Sequence, residues 1–310
     1  MISLLFLKME LQHNNDIHRL LWLANVKQFY EDKPAAQLWS DYKTWLKNRT
    51  DFQQLYRQFN LHTLTDLNFE NMQLLTHGAI LITFHYGPYR LLPKILLRLG
   101  YRISLLASAN ILKREAEYYG AEMKVAGIQT ENFECIDANK PSALKRILSA
   151  VNTQRLVIVF LDANEGQQNH GDQAGRLAVP FSDHVFYWRT NILKLAARFN
   201  IPTYCSYMER QNTDLQWGML PFVTVMQREK HLSEECLMQG FSVLQQTFQR
   251  MMKQGWIYWE NWAFIHLYNG HLEPDNKGLK ARGSWMLPLV YQQKKYLFDV
   301  NNRQFFRIAD

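Results

Sequence analysis

Cysteine is scarce in this chain: Cys135, Cys205 and Cys236 are the only three in 310 residues, and none sits in a CxxC spacing. An odd, dispersed set excludes a disulfide framework and a cysteine zinc site, and fits a reducing cytoplasm. Long apolar runs are missing as well. The opening MISLLFLKME is broken by Lys8 and Glu10, is too short to span a bilayer, and lacks the cationic start and small-residue cleavage site of a signal peptide. Nothing elsewhere reaches the roughly 18 uninterrupted apolar residues of a membrane span. The expectation is a cytoplasmic protein whose membrane contact, if any, is peripheral and on the inner face of the cytoplasmic membrane. HExxH, Walker A and GxGxxG motifs are absent, as are repeats, low-complexity tracts and flexible linkers. No metal and no cofactor is expected.

What is present is apolar and aromatic, 47% and 14% of the residues, enough for one large core or two modest ones. Thirty-five Lys and Arg against 28 Asp and Glu leave a net charge of +7, which suits phospholipid headgroups, an acidic carrier protein or nucleic acid. The basic residues are scattered among helices and not interleaved with aromatics in one strand, which argues against nucleic acid.

The periodicity divides the chain into three stretches of one structural unit. Residues 1–75 read as a helical N-terminal region packed on the core, with Leu20, Leu21, Leu23, Val26 and Phe29, then Leu38, Trp39, Tyr42, Trp45 and Leu46, at three- and four-residue spacing. Residues 76–270 alternate short apolar runs with helix-period segments. The runs are AILITF (79–84), RISLLAS (102–108), FECIDA (133–138), LVIVFL (156–161) and PTYCSYM (202–208). This alternation predicts an α/β domain with a mostly parallel central sheet flanked by helices. Gly100 and Gly120 are expected to stop helices, and Pro141 with Ser142 to start one. A long helical stretch over 231–268 ends in GWIYWENWAFIHLY, which suits core packing or an interfacial face. Residues 271–310 form an extension, with a terminal β-hairpin turning at Asn301 and Asn302.

Ligands of open parallel sheets bind beyond the carboxyl ends of the strands. His85 follows AILITF there; Asp162, with Asn164 and Glu165 close behind, follows LVIVFL; Tyr207 to Arg210 follow PTYCSY. If the first two strands are neighbours, an imidazole and a carboxylate meet at one rim, as a general base and its orienting partner require. Gly87 and Pro88 then turn the chain into a helix whose free N–H groups, from Tyr89 onward, can hold an oxyanion or a phosphate. Pro93 inside that helix predicts a kink or a short first turn. HGDQAGR (170–176), with His170 and Asp172, reads as a loop and not a metal site.

The block HYGPYR resembles the HFGNWE block of the bacterial lipid A late acyltransferases, the lauroyl/myristoyl transferase family, whose broader relatives are the glycerolipid acyltransferases with an H-x4-D motif. LVIVFLDANEGQ is similar to that family's strand ending in aspartate, and GRLAVPFSDH to its VPFFG block. RTNILKLAARFNIPTYCSYMER resembles its helix of small residues and the strand ending near arginine. KQGWIYWENWAF stands where the family has PEQWLWLHRRF. The blocks keep the family's order over about residues 75–265.

The resemblance implies a glycerolipid acyltransferase-like fold and acyl transfer from an acyl-carrier-protein or acyl-coenzyme A thioester to a hydroxyl or amine. His85 would be the general base, with no acyl-enzyme and no metal. Tyr86, Gly87 and Tyr89 fit the motif; Asp162, Arg176, Val179, Pro180 and Phe181 would line the donor or acceptor channel, with Asn164, Arg189 and Arg210 near it. The departures are specific. Arg90 stands where the motif has an acid, so either another carboxylate, Asp162 or Glu165, replaces it, or transferase chemistry is lost; a third reading has Arg90 bind a phosphate of the donor or acceptor. ENWAF replaces HRRF, removing cations suited to an anionic glycolipid, and the family's membrane anchor is missing. The acceptor is left open; a peptide, polyketide or other metabolite amine suits these losses better than lipid A. Two other readings remain at this point: a catalytically silent relative that binds acyl chains or a carrier protein, and a thioesterase.

Overall fold

A computed structural model describes residues 15–62, 75–162, 176–181, 184–211, 216–219, 223–226, 234–267, 285–291 and 293–308. The helices are α1 (Asn15–Phe29), α2 (Ala35–Gln58), α3 (Leu91–Arg98), α4 (Ala109–Val125), α5 (Ala143–Asn152), α6 (Asn191–Arg198) and α7 (Glu234–Gly255). The strands of the main body are β1 (Ile80–Thr83), β2 (Ile103–Ala107), β3 (Phe133–Asp137), β4 (Leu156–Phe160), β5 (Arg176–Phe181), β6 (His184–Arg189), β7 (Thr203–Cys205), β8 (Met208–Gln211), β9 (Gln216–Met219) and β10 (Val223–Met226). At the carboxyl end follow β11 (Met286–Tyr291), β12 (Lys294–Asp299) and β13 (Gln304–Arg307).

The five apolar runs all become strands, in the spatial order β7, β1, β4, β2, β3, and every one of their pairings is parallel. The antiparallel β10 closes the β7 edge and was not expected from the sequence. Both faces of this sheet are covered, so each strand must be apolar on both sides. Ile80, Ile82, Val157, Val159 and Cys205 point into a cluster shared with α1, α5, α6 and α7. Leu81, Leu156, Ile158, Leu105 and Tyr204 point into a second cluster beneath α3 and α4. Helix α2 feeds both, through Leu38, Tyr42 and Trp45 on one side and Phe52, Leu55 and Tyr56 on the other.

Two punctuation marks behave differently from one another. Gly100, with φ 86°, follows the end of α3 as expected, whereas α4 runs through Gly120 and stops only before Gly127, at φ 68°. The correction has a simple cause. Tyr119 and Met123, each about a turn from the other, are buried under the sheet, and burying both outweighs the roughly 1 kcal/mol that a mid-helix glycine costs. Pro93 sits third in α3, within the first turn, where its missing N–H has no helical acceptor to leave unsatisfied.

The expected terminal hairpin is a three-stranded antiparallel sheet, β11–β12–β13. Its second turn does fall at Asn301 and Asn302, whose backbone N–H groups donate to Asp299 at 2.9 and 3.4 Å. Leu289, Phe298 and Val300 join the same apolar cluster as α1 and α7. No helix among the described residues is long and apolar enough to cross a membrane.

Lys94 is wholly buried, yet its ammonium donates to the carbonyls of Tyr56 and Phe59 at 2.6 and 2.9 Å and to Glu122 Oε1 at 2.7 Å. It thereby pins the end of α2 to α3 and α4. Lys94→Met keeps the stem and removes all three bonds; it is expected to lower stability by about 3 kcal/mol, read by guanidinium unfolding.

Candidate active site

Strands β1 and β4 lie side by side with Thr83 opposite Phe160, and the Leu161 N–H extends the pairing by donating to the Thr83 carbonyl at 3.0 Å. His85 and Asp162, each two residues past its strand, therefore emerge together at the carboxyl rim. Their pairing is close. The His85 backbone N–H donates to both Asp162 oxygens at 3.0 Å, and His85 Nδ1 lies 2.9 Å from Oδ1. Asp162 is fully buried and His85 is about one-fifth exposed.

Two further donors clamp the carboxylate from a distant part of the chain. Trp259 Nε1 donates to Oδ2 at 2.7 Å, and Asn261 Nδ2 donates to Oδ2 at 3.1 Å and to the Asp162 carbonyl at 2.6 Å. Both residues come from the short helical turns that follow α7. That segment is laced to the His85 loop by backbone bonds: Gly87 N–H to the Tyr258 carbonyl at 3.0 Å and Glu260 N–H to the His85 carbonyl at 2.8 Å. Gly87 takes φ 58°, which lets the chain reverse between His85 and α3.

Every neighbour of the Asp162 side chain named above is a donor, so Nδ1 carries its proton toward Oδ1. Nε2, across the ring, has no hydrogen-bond partner among the described residues, in a side chain that is about one-fifth exposed. The ring is set by Phe160, centroid 4.5 Å away, and by the edge of Tyr89 at 4.9 Å. Burial by itself would lower the His85 pKa, but the Asp162 charge, its hydrogen bond and the more distant Glu260 together raise it above 6.5.

Arg90, the residue standing in for the motif acid, does not meet the imidazole. As the N-cap of α3 it turns to Glu115 on α4, at 2.8 Å, and Arg114 shares that same carboxylate oxygen at 3.1 Å. Arg90 is only the last of the influences on His85, lowering its pKa slightly against the carboxylates. The expected row of free N–H groups at the helix start is partly engaged. Leu91 and Leu92 donate to the carbonyls of Pro88 and Tyr89 at 2.9 and 3.1 Å.

The remaining candidates separate. Tyr86 is buried in the core, edge-on to Tyr207 and Tyr258, so it supports the loop from behind. Tyr89 is almost buried and forms part of the wall around the imidazole. Arg176, Val179, Pro180 and Phe181 lie on β5, Arg189 ends β6, and Arg210 lies on β8; beyond the half-buried state of Arg189, only their backbone is described. Asn164, Glu165, His170 and Asp172 lie outside the described residues. Among the described residues, no group of three or more His, Cys, Asp or Glu is placed to hold a metal ion.

Sequence reading passes over Trp259 and Asn261, the two residues that complete the site. Their segment, ENWAF, draws attention there only for the cations it has lost. The signal available was an amide set between tryptophans that burial would leave no water to satisfy; Asn261 is 3% exposed and Trp259 1%. Trp259→Phe keeps the packing on Phe248 and Trp262, at 5.4 and 5.2 Å, and removes one donor to the carboxylate. Stability is expected to fall by about 2 kcal/mol in chemical denaturation. The more concentrated negative charge on Asp162 should also move the His85 titration to higher pH, measured by NMR of the ring protons.

Neither a scan of protein-family models nor a search of curated proteins finds a match to this chain.

Proposed function

We propose that this protein is an acyltransferase that moves a fatty acyl group from an acyl-carrier-protein or acyl-coenzyme A thioester to a hydroxyl or amine acceptor. The observation that carries the reading is the fully buried Asp162, which fixes Nδ1 of His85 and leaves Nε2, on a partly exposed side chain, without a hydrogen bond among the described residues. It supplies the orienting carboxylate that Arg90 cannot. The ordered blocks over residues 75–265 supply the reaction class, and the +7 charge suits an acidic carrier or a phosphate-bearing donor.

In this mechanism Nε2 takes the proton of the acceptor O–H or N–H as that oxygen or nitrogen attacks the thioester carbonyl. The tetrahedral intermediate collapses by breaking the C–S bond, and the departing sulfur takes the proton back from the imidazolium. Ester or amide and a free thiol leave, and the enzyme is unchanged. Asp162 stabilises the transient imidazolium and preserves the tautomer without itself taking the proton. Asp162, Tyr89 and Phe160 are positioning residues in this scheme; His85 alone touches the reacting atoms.

The test is thioester consumption, followed by mass spectrometry, for wild type and His85→Ala against a panel of acyl-carrier and acyl-coenzyme A donors, with and without cell extract as an acceptor source. Consumption that requires His85, with a newly acylated mass, supports transfer and reveals the acceptor. Equal consumption by both proteins, or none across the panel, overturns it; the latter with tight donor binding points to a silent binding protein. His85-dependent release of free fatty acid alone points to a thioesterase.

A further inference from the structure

The clamp on Asp162 is itself held from outside by the two N-terminal helices. Trp45 and Arg49, one turn apart on α2, reach consecutive residues of it: Trp45 Nε1 donates to the Trp259 carbonyl and Arg49 Nη2 to Glu260 Oε1, each at 3.0 Å. Asn25 on α1 adds a donor to the Trp262 carbonyl at 2.8 Å. The Arg49 guanidinium also lies over the Trp45 ring, 4.7 Å from its centroid, which fixes the side from which it meets the carboxylate.

The two side chains of the Arg49–Glu260 pair are 41% and 27% exposed. Ion pairs in such a setting add little to stability, so the place of this one is more informative than its strength. The Glu260 N–H donates to the His85 carbonyl at 2.8 Å, and the next residue, Asn261, holds Asp162. The carboxylate is thus carried on a peptide bonded directly to His85. The imidazole is mostly withdrawn from water, and there a neighbouring charge is felt more strongly than at an open surface.

Among the described residues, the charged and titratable groups that act on His85 come from three elements. Asp162 lies past β4, Glu260 in the turns after α7, and Arg90 at the head of α3. Tyr89, in the same loop as His85, is pushed well above its ordinary value by burial and then by Glu260, so it stays neutral. Burial lowers the His85 pKa, Asp162 raises it through charge and hydrogen bond, Glu260 raises it again and Arg90 lowers it. Arg90 is engaged by Glu115, as Glu260 is by Arg49.

We infer that Glu260 is a second positioning acid of the His85–Asp162 pair, and that Arg49 sets how strongly it acts. Glu260 supports the imidazolium from outside the clamp, while Arg49 holds that carboxylate and screens part of its charge. The inference rests on the reading of His85 as a base, but its first readout involves no turnover. That readout is an NMR titration of the His85 ring protons in the full chain, for wild type, Glu260→Gln, Arg49→Met and the double variant, with thermal unfolding recorded for each. Glu260→Gln should move the His85 titration to lower pH. Arg49→Met should move it to higher pH, and Arg49→Lys should keep the wild-type value. In the Glu260→Gln background Arg49→Met should have no effect, because Arg49 acts through the carboxylate. With a thioester donor, Glu260→Gln should carry the acid limb of kcat/KM to lower pH and reduce its plateau about two- to fivefold, the scale of a partly exposed charge interaction. An unchanged His85 titration in folded Glu260→Gln overturns the inference. So does an Arg49→Met shift of equal size with and without Glu260, because Arg49 would then act without the carboxylate. A His85 that responds to Glu260→Gln in a protein that consumes no thioester supports the inference and removes the acyl-transfer reading instead.

Discussion

Replacing His85 by alanine is expected to lower thioester consumption by between about a hundred- and ten-thousandfold, the range that a positioned general base contributes. The variant is a clean one because Asp162 keeps most of its partners. The backbone N–H of residue 85 still donates to both carboxylate oxygens, and Trp259 and Asn261 still clamp Oδ2. Thermal unfolding should therefore change little while kcat/KM collapses. A folded His85→Ala protein with wild-type kcat/KM would remove the mechanism altogether.

Asp162→Asn tests the other half of the pair and should be more damaging to the fold. The described groups around the carboxylate all donate, so one face of the new amide must present N–H to N–H, or the imidazole must switch tautomer and place its proton on Nε2. Loss of the orienting acid in a histidine-based site lowers kcat by about four orders of magnitude on the serine protease template. Stability is expected to fall by about 1–3 kcal/mol for the donors left unpaired, read by denaturant titration.

The pH dependence separates orientation from simple damage. Because His85 titrates above 6.5 in the folded protein, its neutral, basic form and hence kcat/KM should rise with pH through a value above 6.5. Asp162→Asn removes the charge that holds the pKa up and leaves the burial that pushes it down, so the acid limb of the residual activity should move to lower pH. Stability has the opposite dependence. A raised folded-state pKa means that the charged pair contributes fully below 6.5 and that the contribution is lost as pH rises through the folded value.

The parts of this molecule that could be read from sequence are those determined by neighbours along the chain. Each of the five runs, from AILITF to PTYCSYM, is a short β-rich apolar segment between turn signals and forms a parallel strand; four lie within a residue of their expected limits, while the last stops at Cys205, three residues early. His85 and Asp162 could be placed at strand ends for the same reason, although their adjacency depended on β1 and β4 being neighbours, which the runs alone do not specify. Strands β5, β6 and β8 to β10 were passed over, and the tail yielded a hairpin where there are three strands. In β11, Pro288 interrupts the run, a position tolerated because this strand lies at the sheet edge. The direction of Arg90 depended on Glu115, 25 residues later on another helix. Trp259 and Asn261 reach Asp162 across 97 and 99 residues, a separation at which local pattern carries no information.

That last separation bears on how the protein matures. The strands carrying His85 and Asp162 are complete by residue 162, yet two side-chain donors that hold the carboxylate are supplied only after α7 has been made and docked. Closing contacts over such spans is slow relative to forming helices. A nascent or clipped chain ending before Trp259 would carry the imidazole and the acid without the clamp between them. Under the proposed function, turnover would then require a fully assembled chain, and a chain without Trp259 and Asn261 would be expected to consume thioester more slowly.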